Sequence, residues 1–353
     1  MKIEVNDFVI YEKLKIREAI NKIDANGFGF ILVCNSKKQV LGIVTDGDFR
    51  RAVLKGIVLE DSINKILNIN FIKLKENYNS KTVINSFLNK NIKVIPVLSK
   101  ENKLIDLLFR KDYDLENKIF LPEEEQNIDV IIMAGGKGSR MAPFTNVFPK
   151  PLIPIGEKSM IETIMDEYQK YGFNNFYISI NYKGGLIKSY LNEVNHNYTV
   201  SYLEELDFYG TAGALKLYNS VNQNPIFVSN CDILIKENYL NILHHHNENK
   251  NDLTLVAAMV NFKIPYGVCK IKKGGELLEI TEKPEYDNLV NTGMYVINPS
   301  VLKLIPDNEF FHITQLMEKI QMNKGKVGVY PVTEKSWIDV GQWNEYNKVI
   351  KEN

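Results

Sequence analysis

An excess of charge of either sign is missing from this chain: 43 Lys and Arg balance 43 Asp and Glu, a formal net charge of zero. That balance leaves no electrostatic footprint for nucleic acid or an anionic membrane, so neither is expected as a partner. Long apolar runs are missing as well. No stretch approaches the roughly 18 apolar residues of a membrane span, and the opening MKIEVNDFVIYEK lacks the pattern of a secretory signal. A cytoplasmic location is expected. Cysteine is scarce, and Cys34, Cys231 and Cys269 form an odd, scattered set without metal-ligand spacing. They read as three buried thiols in a reducing compartment.

What is present is an ordinary globular composition, 44% hydrophobic and 24% charged over 353 residues. That length suits two or three domains of roughly 100–200 residues each. The most informative stretch is Val130 to Leu152, VIIMAGGKGSRMAPFTNVFPKPL. The apolar run from Ile128 to Met133 is short, β-branched and ends at glycines, which predicts a buried strand. Gly135, Gly136 and Gly138 then permit close backbone approach to a ligand, and N–H groups in such a turn converge on anions. Arg140 and Lys150 add two fixed positive charges, while Pro143, Pro149, Pro151 and Pro154 keep the segment irregular. A P-loop is excluded because the spacing before Gly-Lys-Ser is wrong. A dinucleotide fingerprint is disfavoured because Met141 stands where the third glycine belongs.

Residues 1–118 contain an internal repeat, with copies at about 1–57 and 58–118. FILVCNSKKQVLGIVTDGD (Phe30 to Asp48) and VIPVLSKENKLIDLLFRKD (Val94 to Asp112) share a strand, polar turn, strand and charged helix start. Thr45 and Phe109, like Asp48 and Asp112, are 64 residues apart. Helix-like stretches precede each pair, at Lys15 to Asn26 and Asn79 to Asn89. One such unit cannot bury its apolar faces alone, and a tandem pair can. The repeat resembles a tandem CBS-domain pair. In that family a Gly-x-x-Thr/Ser-x-x-Asp signature follows the hairpin, and Gly42, Thr45 and Asp48 match it. In the second copy Asp106 and Phe109 replace the glycine and threonine. The resemblance implies one intact site, with Thr45 on a phosphate and Asp48 on a ribose, for a regulatory nucleotide. The same two side chains would serve equally to cap the following helix, and the pair could act only in assembly into a homo-oligomer.

A proline- and acid-rich linker is expected at residues 119–127, LPEEEQN included, and a second domain at 128–353. Strands at Phe176 to Asn181, Tyr198 to Glu205 and Pro225 to Asp232 alternate with helices at Met160 to Tyr171, Ile187 to Val194 and from Ala214 to Tyr218. LTLVAAMV, a GVCKI/LLEIT hairpin around Gly274-Gly275 and LVNTGMYVIN follow. Such alternation predicts an α/β fold on a mostly parallel sheet, with ligands beyond the carboxyl ends of its strands.

Nearly all of residues 128–353 resembles the sugar-1-phosphate nucleotidyltransferase family. Its opening signature is present from Met133 through Ala134, Gly135, Gly136, Gly138, Ser139, Arg140 and Pro143 to Thr145, followed by Pro149-Lys150-Pro151. GTAGAL (Gly210 to Leu215), SNCD ending at Asp232, EKP (Glu282 to Pro284), NTGMY (Asn291 to Tyr295) and WIDVG (Trp337 to Gly341) follow in the family's order. The resemblance implies a Rossmann-like, GT-A-like mixed sheet after a small α+β CBS pair. It implies Arg140, Lys150 and Asp232 in catalysis, and Mg2+ held by Asp232 and Asp339. Ala134, Gly135, Gly136, Gly138, Ser139, Gly210 and Thr211 would line the nucleotide. Gly213, Glu282, Lys283, Asn291, Thr292 and Gly293 would line the sugar phosphate. Phe208-Tyr209 depart from the Pro-Leu usual before GTAG.

These residue types suit the chemistry. A sugar 1-phosphate is already an oxyanion nucleophile, so positioning and electrostatics replace a catalytic serine, cysteine or histidine. Two carboxylates suit a hard cation that keeps water and phosphate as its other ligands. Each has a plainer reading: Asp232 as a strand-end cap and Asp339 as an ordinary turn residue. Lys137 reads as a solvated loop residue, Trp337 and Trp343 as packing residues, and His244 to His246 as a surface helix rather than a metal cluster. Glu204 and Glu205 precede GTAGAL, and a carboxylate accepts the paired N1–H and N2–H2 of guanine, so GTP is the expected donor. The domain order resembles bacterial glucosamine-1-phosphate guanylyltransferases of legionaminic acid synthesis. Mannose or heptose 1-phosphate as acceptor, another NDP-sugar pyrophosphorylase, or a nucleotide-sensing protein with an idle transferase domain, are the alternatives.

Overall fold

A computed structural model describes residues 5–78, 82–84, 86–87, 92, 94–110, 126–194, 196–341, 343 and 346. The chain divides into two compact units, Met1–Phe120 and Leu121–Asn353. No described helix is long and apolar enough to cross a membrane.

In the first unit, β1 (Val9–Tyr11) pairs parallel with β2 (Phe30–Cys34), which pairs antiparallel with β3 (Val40–Thr45). The arrangement recurs in β4 (Leu74–Lys75), β5 (Val94–Leu98) and β6 (Leu104–Phe109). The repetition extends to irregularities. The ladder slips between Val33 and Cys34 and again between Val97 and Leu98, and both hairpin turns carry a left-handed residue, Lys38 (φ 63) and Asn102 (φ 61). The two turns pair through Gln39 and Lys103. Phe8, Phe30, Leu32 and Val40 share one core with Val94, Leu98 and Phe109, so each copy supplies the surface the other buries. The first helix, Ile16–Asn26, buries Ile16, Ala19 and Ile23 and stops at the left-handed Gly27. Of the second helical stretch, Val83 and Phe87 are described and buried. Asp112 and residues 111–125 lie outside the described residues.

The second unit is built on a seven-stranded sheet. Its parallel strands are β7 (Gln126–Met133), β10 (Phe173–Ile180), β11 (Thr199–Glu204) and β12 (Ile226–Asn230). The short pair β8 (Pro154–Ile155) and β9 (Lys158–Ser159) precedes β10. Beyond β12 come β17 (Glu285–Ile297), antiparallel to its neighbours, then β14 (Leu253–Lys263) and β18 (Val327–Thr333). The order is β11-β10-β7-β12-β17-β14-β18. Two smaller ladders, β13 (Ile233–Ile235) with β19 (Trp337–Asp339) and β15 (Val268–Ile271) with β16 (Leu277–Thr281), complete the unit.

Strand β7 is central, and its residues are apolar on both faces because both are covered. Val130 and Ile132 join the layer of the helices Met160–Gln169, Gly184–Glu193 and Tyr239–Glu248. Ile131 joins the opposite layer with Leu316 and Ile320 of the helix Ile313–Met322. Chain order reverses at β7: β10 and β11 lie on one side of it and β12 on the other. A crevice beyond the carboxyl ends of β7 and β12 is the geometric consequence.

Four sequence expectations need correction. β7 begins at Gln126, inside the expected linker. The helix expected from Ala214 is one α-turn, Gly210–Gly213, plus a 3-10 turn, Ala214–Leu217, as the poor helix propensity of the glycine-rich start would favour. His246 is not on the surface: it is 1% exposed and bonded to Thr254 Oγ1 (2.8 Å) and Asn298 Oδ1 (3.1 Å), and burial lowers its pKa. His244 is exposed and pairs with Glu248 at 3.1 Å. Cys34 and Cys231 are buried, which pushes their thiols up to about 11 and about 12, but Cys269 is exposed.

Candidate active site

The glycine loop leaves β7 at Ala134, whose N–H bonds Ser179 O at 2.9 Å. Gly138 is left-handed (φ 66), and a Cβ there would meet Lys150 Cβ at 2.8 Å and Thr145 Cγ2 at 3.0 Å. The loop therefore folds back directly onto Lys150, and only glycine fits the crossing. Gly136, Ser139 and Arg140 face solvent at the rim.

Asp232 follows β12 and is 5% exposed. Its Oδ2 forms a short ion pair with Lys150 Nζ, also buried, and lies 3.7 Å from the Arg140 guanidinium. β19 brings Asp339 alongside by pairing it with Ile233, and Val340 N–H donates to Asp232 O at 3.0 Å. Gly341 locks the group together. Its N–H donates to Asp339 Oδ1 at 2.9 Å. A Cβ on it would collide with Asp232 Oδ2 and lie 2.6 Å from Lys150 Nζ and 2.8 Å from Asp339 Oδ1. Two carboxylates and a lysine thus converge around the space of one missing methyl. The oxygen pair suits a hard divalent cation whose remaining ligands are water and phosphate. Among the described residues no group of three or more His, Cys, Asp or Glu could hold a metal.

A cleft of about 320 Å³ opens beside this cluster, lined by Arg140, Asp232, Asp339, Asn291 and Thr211 among others. A bulge in β17 shapes its floor: the ladder to β14 jumps from Tyr295–Leu255 to Asn291–Ala257, and Gly293 takes φ 90 there. Asn291 braces the bulge, accepting from Gly293 N–H (2.9 Å) and bonding the Tyr295 hydroxyl (2.9 Å). Bulges of this kind re-aim side chains beside active sites.

The two neighbouring glutamates part company. Glu205 reaches under the glycine loop: it takes a short hydrogen bond from Ser179 Oγ and another from Tyr209 N–H (3.2 Å). A Cβ on Gly135 would strike its Oε1. Burial raises its pKa. Glu204 is exposed and ends in an ion pair with Lys188 at 2.6 Å, away from the loop, because successive strand residues point to opposite faces.

Other expected residues serve the frame. Gly210 and Gly213 make room for chain rather than ligand, since Cβ atoms there would lie 2.8 Å from Phe311 O and Glu309 O. Thr211 Oγ1 accepts Ile313 N–H at 3.0 Å, and buried Thr292 Oγ1 donates to Val256 O at 2.8 Å. Glu282 and Lys283 are exposed on the connector between β16 and β17 and do not line the cleft; Lys283 is held at φ 44. Lys137 is exposed with Nζ 5.2 Å from the Phe208 ring. Trp343 packs against Phe144 at 5.2 Å. In the first unit, Thr45 and Asp48 engage each other in a capping box, Oγ1 to Oδ2 at 2.7 Å, with Arg51 2.6 Å from Asp48.

Sequence reasoning missed Asn230, His312, Trp337 as a lining residue, and Gly341. Trp337 Nε1–H is buried without a hydrogen-bond partner. Gly341 stood in plain sight within WIDVG, but only its neighbours in space show its role.

The family model for nucleotidyl transferases matches residues 129–353. The chain belongs to that family. A CBS-domain model matches residues 3–55, ahead of the nucleotidyl transferase unit. Similar curated proteins include the mannose-1-phosphate guanyltransferases of Pichia angusta, 33% identical over 233 residues, and Debaryomyces hansenii, 31% identical over 231. Each alignment covers 61% of this chain and 61% or 62% of the relative, so the chain spans about three-fifths of the relatives' length. Solved structures sharing the fold include HddC from Yersinia pseudotuberculosis, with TM-score 0.50 and 23% identity over 64% of this chain and 99% of that one. UDP-glucose pyrophosphorylase complexed with UDP-glucose has TM-score 0.50 and 18% identity, over 64% and 97%.

Proposed function

We propose that the protein transfers GMP from GTP to a sugar 1-phosphate, releasing pyrophosphate. The observation that carries this reading is the convergence of Asp232, Lys150, Arg140 and Asp339 at the carboxyl ends of β7 and β12, under a nucleotidyl transferase glycine loop. A phosphate oxygen of the sugar phosphate attacks the α-phosphorus, the bond to the bridging oxygen of the β-phosphate breaks, and pyrophosphate takes the electron pair. Backbone N–H groups of the Gly135–Gly138 loop and the Arg140 guanidinium bind the triphosphate, and Lys150 offsets charge beside Asp232. Asp232 and Asp339 would hold Mg2+, which when bound supplies Lewis-acid charge neutralisation at the phosphates.

Guanine is favoured by Glu205, whose half-buried carboxylate sits beside Gly135; a carboxylate suits the paired N1–H and N2–H2 donors of that base. The relatives named as mannose-1-phosphate guanyltransferases support the same base. Glucosamine 1-phosphate is the acceptor proposed from domain order, with mannose 1-phosphate the competing acceptor that those relatives favour. A matrix of nucleoside triphosphates against sugar 1-phosphates, read by pyrophosphate release with magnesium, tests both choices. GTP with one hexosamine or hexose 1-phosphate is expected to exceed every UTP and dTTP combination. A preference for UTP or dTTP would overturn the guanylyl assignment, and no turnover with any pair would return the chain to a binding role.

A further inference from the structure

Strand β10 runs out at Ile180, and the three residues after it reach three separate loops of the candidate site. Asn181 Nδ2 donates to Glu205 O at 2.8 Å. Tyr182 N–H donates to Gly135 O, and its hydroxyl to Thr145 O, each at 3.3 Å. Lys183 Nζ donates to both Asn146 O and Val147 O at 2.7 Å and lies 5.2 Å from the Tyr182 ring. Lys183 is left-handed, with φ 54 and ψ 30, directly before the helix Gly184–Glu193, and its side chain makes no capping bond to that helix. A lysine persists in this conformation only where its surroundings over-determine it, and such residues cluster at functional sites.

The segment that Lys183 grips has little else to fix it. Phe144, Val147 and Phe148 are 47%, 63% and 55% exposed, so burial in the core does not set their position. Trp343 holds the near end, through Ala142 O at 3.3 Å and the Phe144 ring. The far end, at Asn146 and Val147, is held by Lys183, and three residues later the chain supplies Lys150 to Asp232. The same segment braces the glycine loop, because Thr145 Oγ1 donates to Gly138 O at 3.0 Å. Lys183 itself is outside the lining of the cleft.

We propose that Lys183 is a positioning residue for nucleotidyl transfer. Its ammonium, seated on two carbonyls, fixes the segment that aims Lys150 at Asp232 and backs Gly138. The proposal rests on the transferase reading but on neither the base nor the acceptor. Charge stabilisation at phosphorus depends on groups set in place beforehand, and a shift of about 1 Å at a distance from the chemistry can cost about 100-fold.

The full-length variant Lys183→Met keeps the aliphatic stem and removes the donors. With the best nucleoside triphosphate and sugar 1-phosphate pair, its kcat is expected to fall at least about tenfold while both KM values stay within about twofold. Lys183→Arg, which can donate to both carbonyls, is expected to recover kcat to within about threefold of native. Hydrogen exchange over residues 143–150 is expected to quicken about tenfold in Lys183→Met, with β7 and the melting temperature unchanged. Native kcat in Lys183→Met overturns the proposal. So does a loss that comes with a lower melting temperature and faster exchange throughout the second unit, which would make Lys183 merely structural. A native protein that turns over no pair sinks the transferase reading itself, whereas unchanged exchange over 143–150 in an active protein sinks the clamp alone.

Discussion

The cluster around Gly341 and the connector carrying Glu282 and Lys283 belong to the same family signature, yet the fold treats them oppositely. Asp232 and Lys150 are 5% and 6% exposed and held by strands, a glycine crossing and each other. Glu282 and Lys283 stand exposed between β16 and β17, with Lys283 in a left-handed conformation that costs a lysine free energy. Charge stabilisation at the reacting phosphorus needs groups fixed before substrate arrives, whereas recognition of the sugar phosphate can wait for substrate to organise it. The contrast predicts that variants of the cluster damage turnover, and variants of the connector damage acceptor binding.

The hardest test of the cluster is Gly341→Ala. The added methyl has no room among Asp232, Lys150 and Asp339, so kcat is expected to fall about 100-fold or more with little change in KM for either substrate. Asp232→Asn, which keeps the shape and removes the charge, is expected to lose about 100- to 1,000-fold. An active Asp232→Asn enzyme would mean that the cation is held elsewhere.

Glu205→Gln probes the loop rather than the cluster. KM for GTP is expected to rise about 10- to 100-fold with kcat nearly kept. On the proposed guanylyl reading the ionised carboxylate would be the form that accepts guanine, and burial raises its pKa, so acidification is expected to weaken GTP binding above the ordinary carboxylate range. The Gln variant should lack that acid limb. The stability sign is the reverse. A carboxyl raised on folding costs nothing below its unfolded pKa and destabilises increasingly as pH rises through its folded value. At neutral pH the Gln variant should therefore melt no lower than the native protein. A lower melting temperature with unchanged KM would make Glu205 structural.

On the connector, Lys283→Ala is expected to raise KM for the sugar phosphate about tenfold while leaving KM for GTP alone. A fall in kcat of the same size as for Asp232→Asn would erase the distinction between the two regions. The smallest effect is expected in the first unit. Thr45→Val removes the capping hydroxyl and lowers stability by about 1 kcal/mol, and it should abolish any adenine-nucleotide binding detected by calorimetry on the full chain. Binding that survives the substitution would remove Thr45 from the ligand site implied by the CBS resemblance.

Much of this molecule was legible in one dimension because its signals are local. The β7 strand and the glycines after it are a short β-branched run and a φ-permissive turn, and the tandem repeat shows as a constant offset of 64 residues that the ladders reproduce down to their slips. That Asp232, Lys150 and Arg140 would come together was expected from motif order, and their side chains do meet. Position in space could not be read the same way. That Glu205 turns to the loop and Glu204 to Lys188 depends on which face of β11 is inside. That Gly210 and Gly213 admit residues 309–311, and that Gly341 rather than a polar residue joins the two aspartates, depends on chain segments roughly 100 residues apart meeting at van der Waals contact. Periodicity and backbone permissiveness are properties of neighbours along the chain, so the sequence alone determined most of the elements and the family to which the second unit belongs. Burial and convergence are properties of neighbours in space, and those the tertiary structure decided.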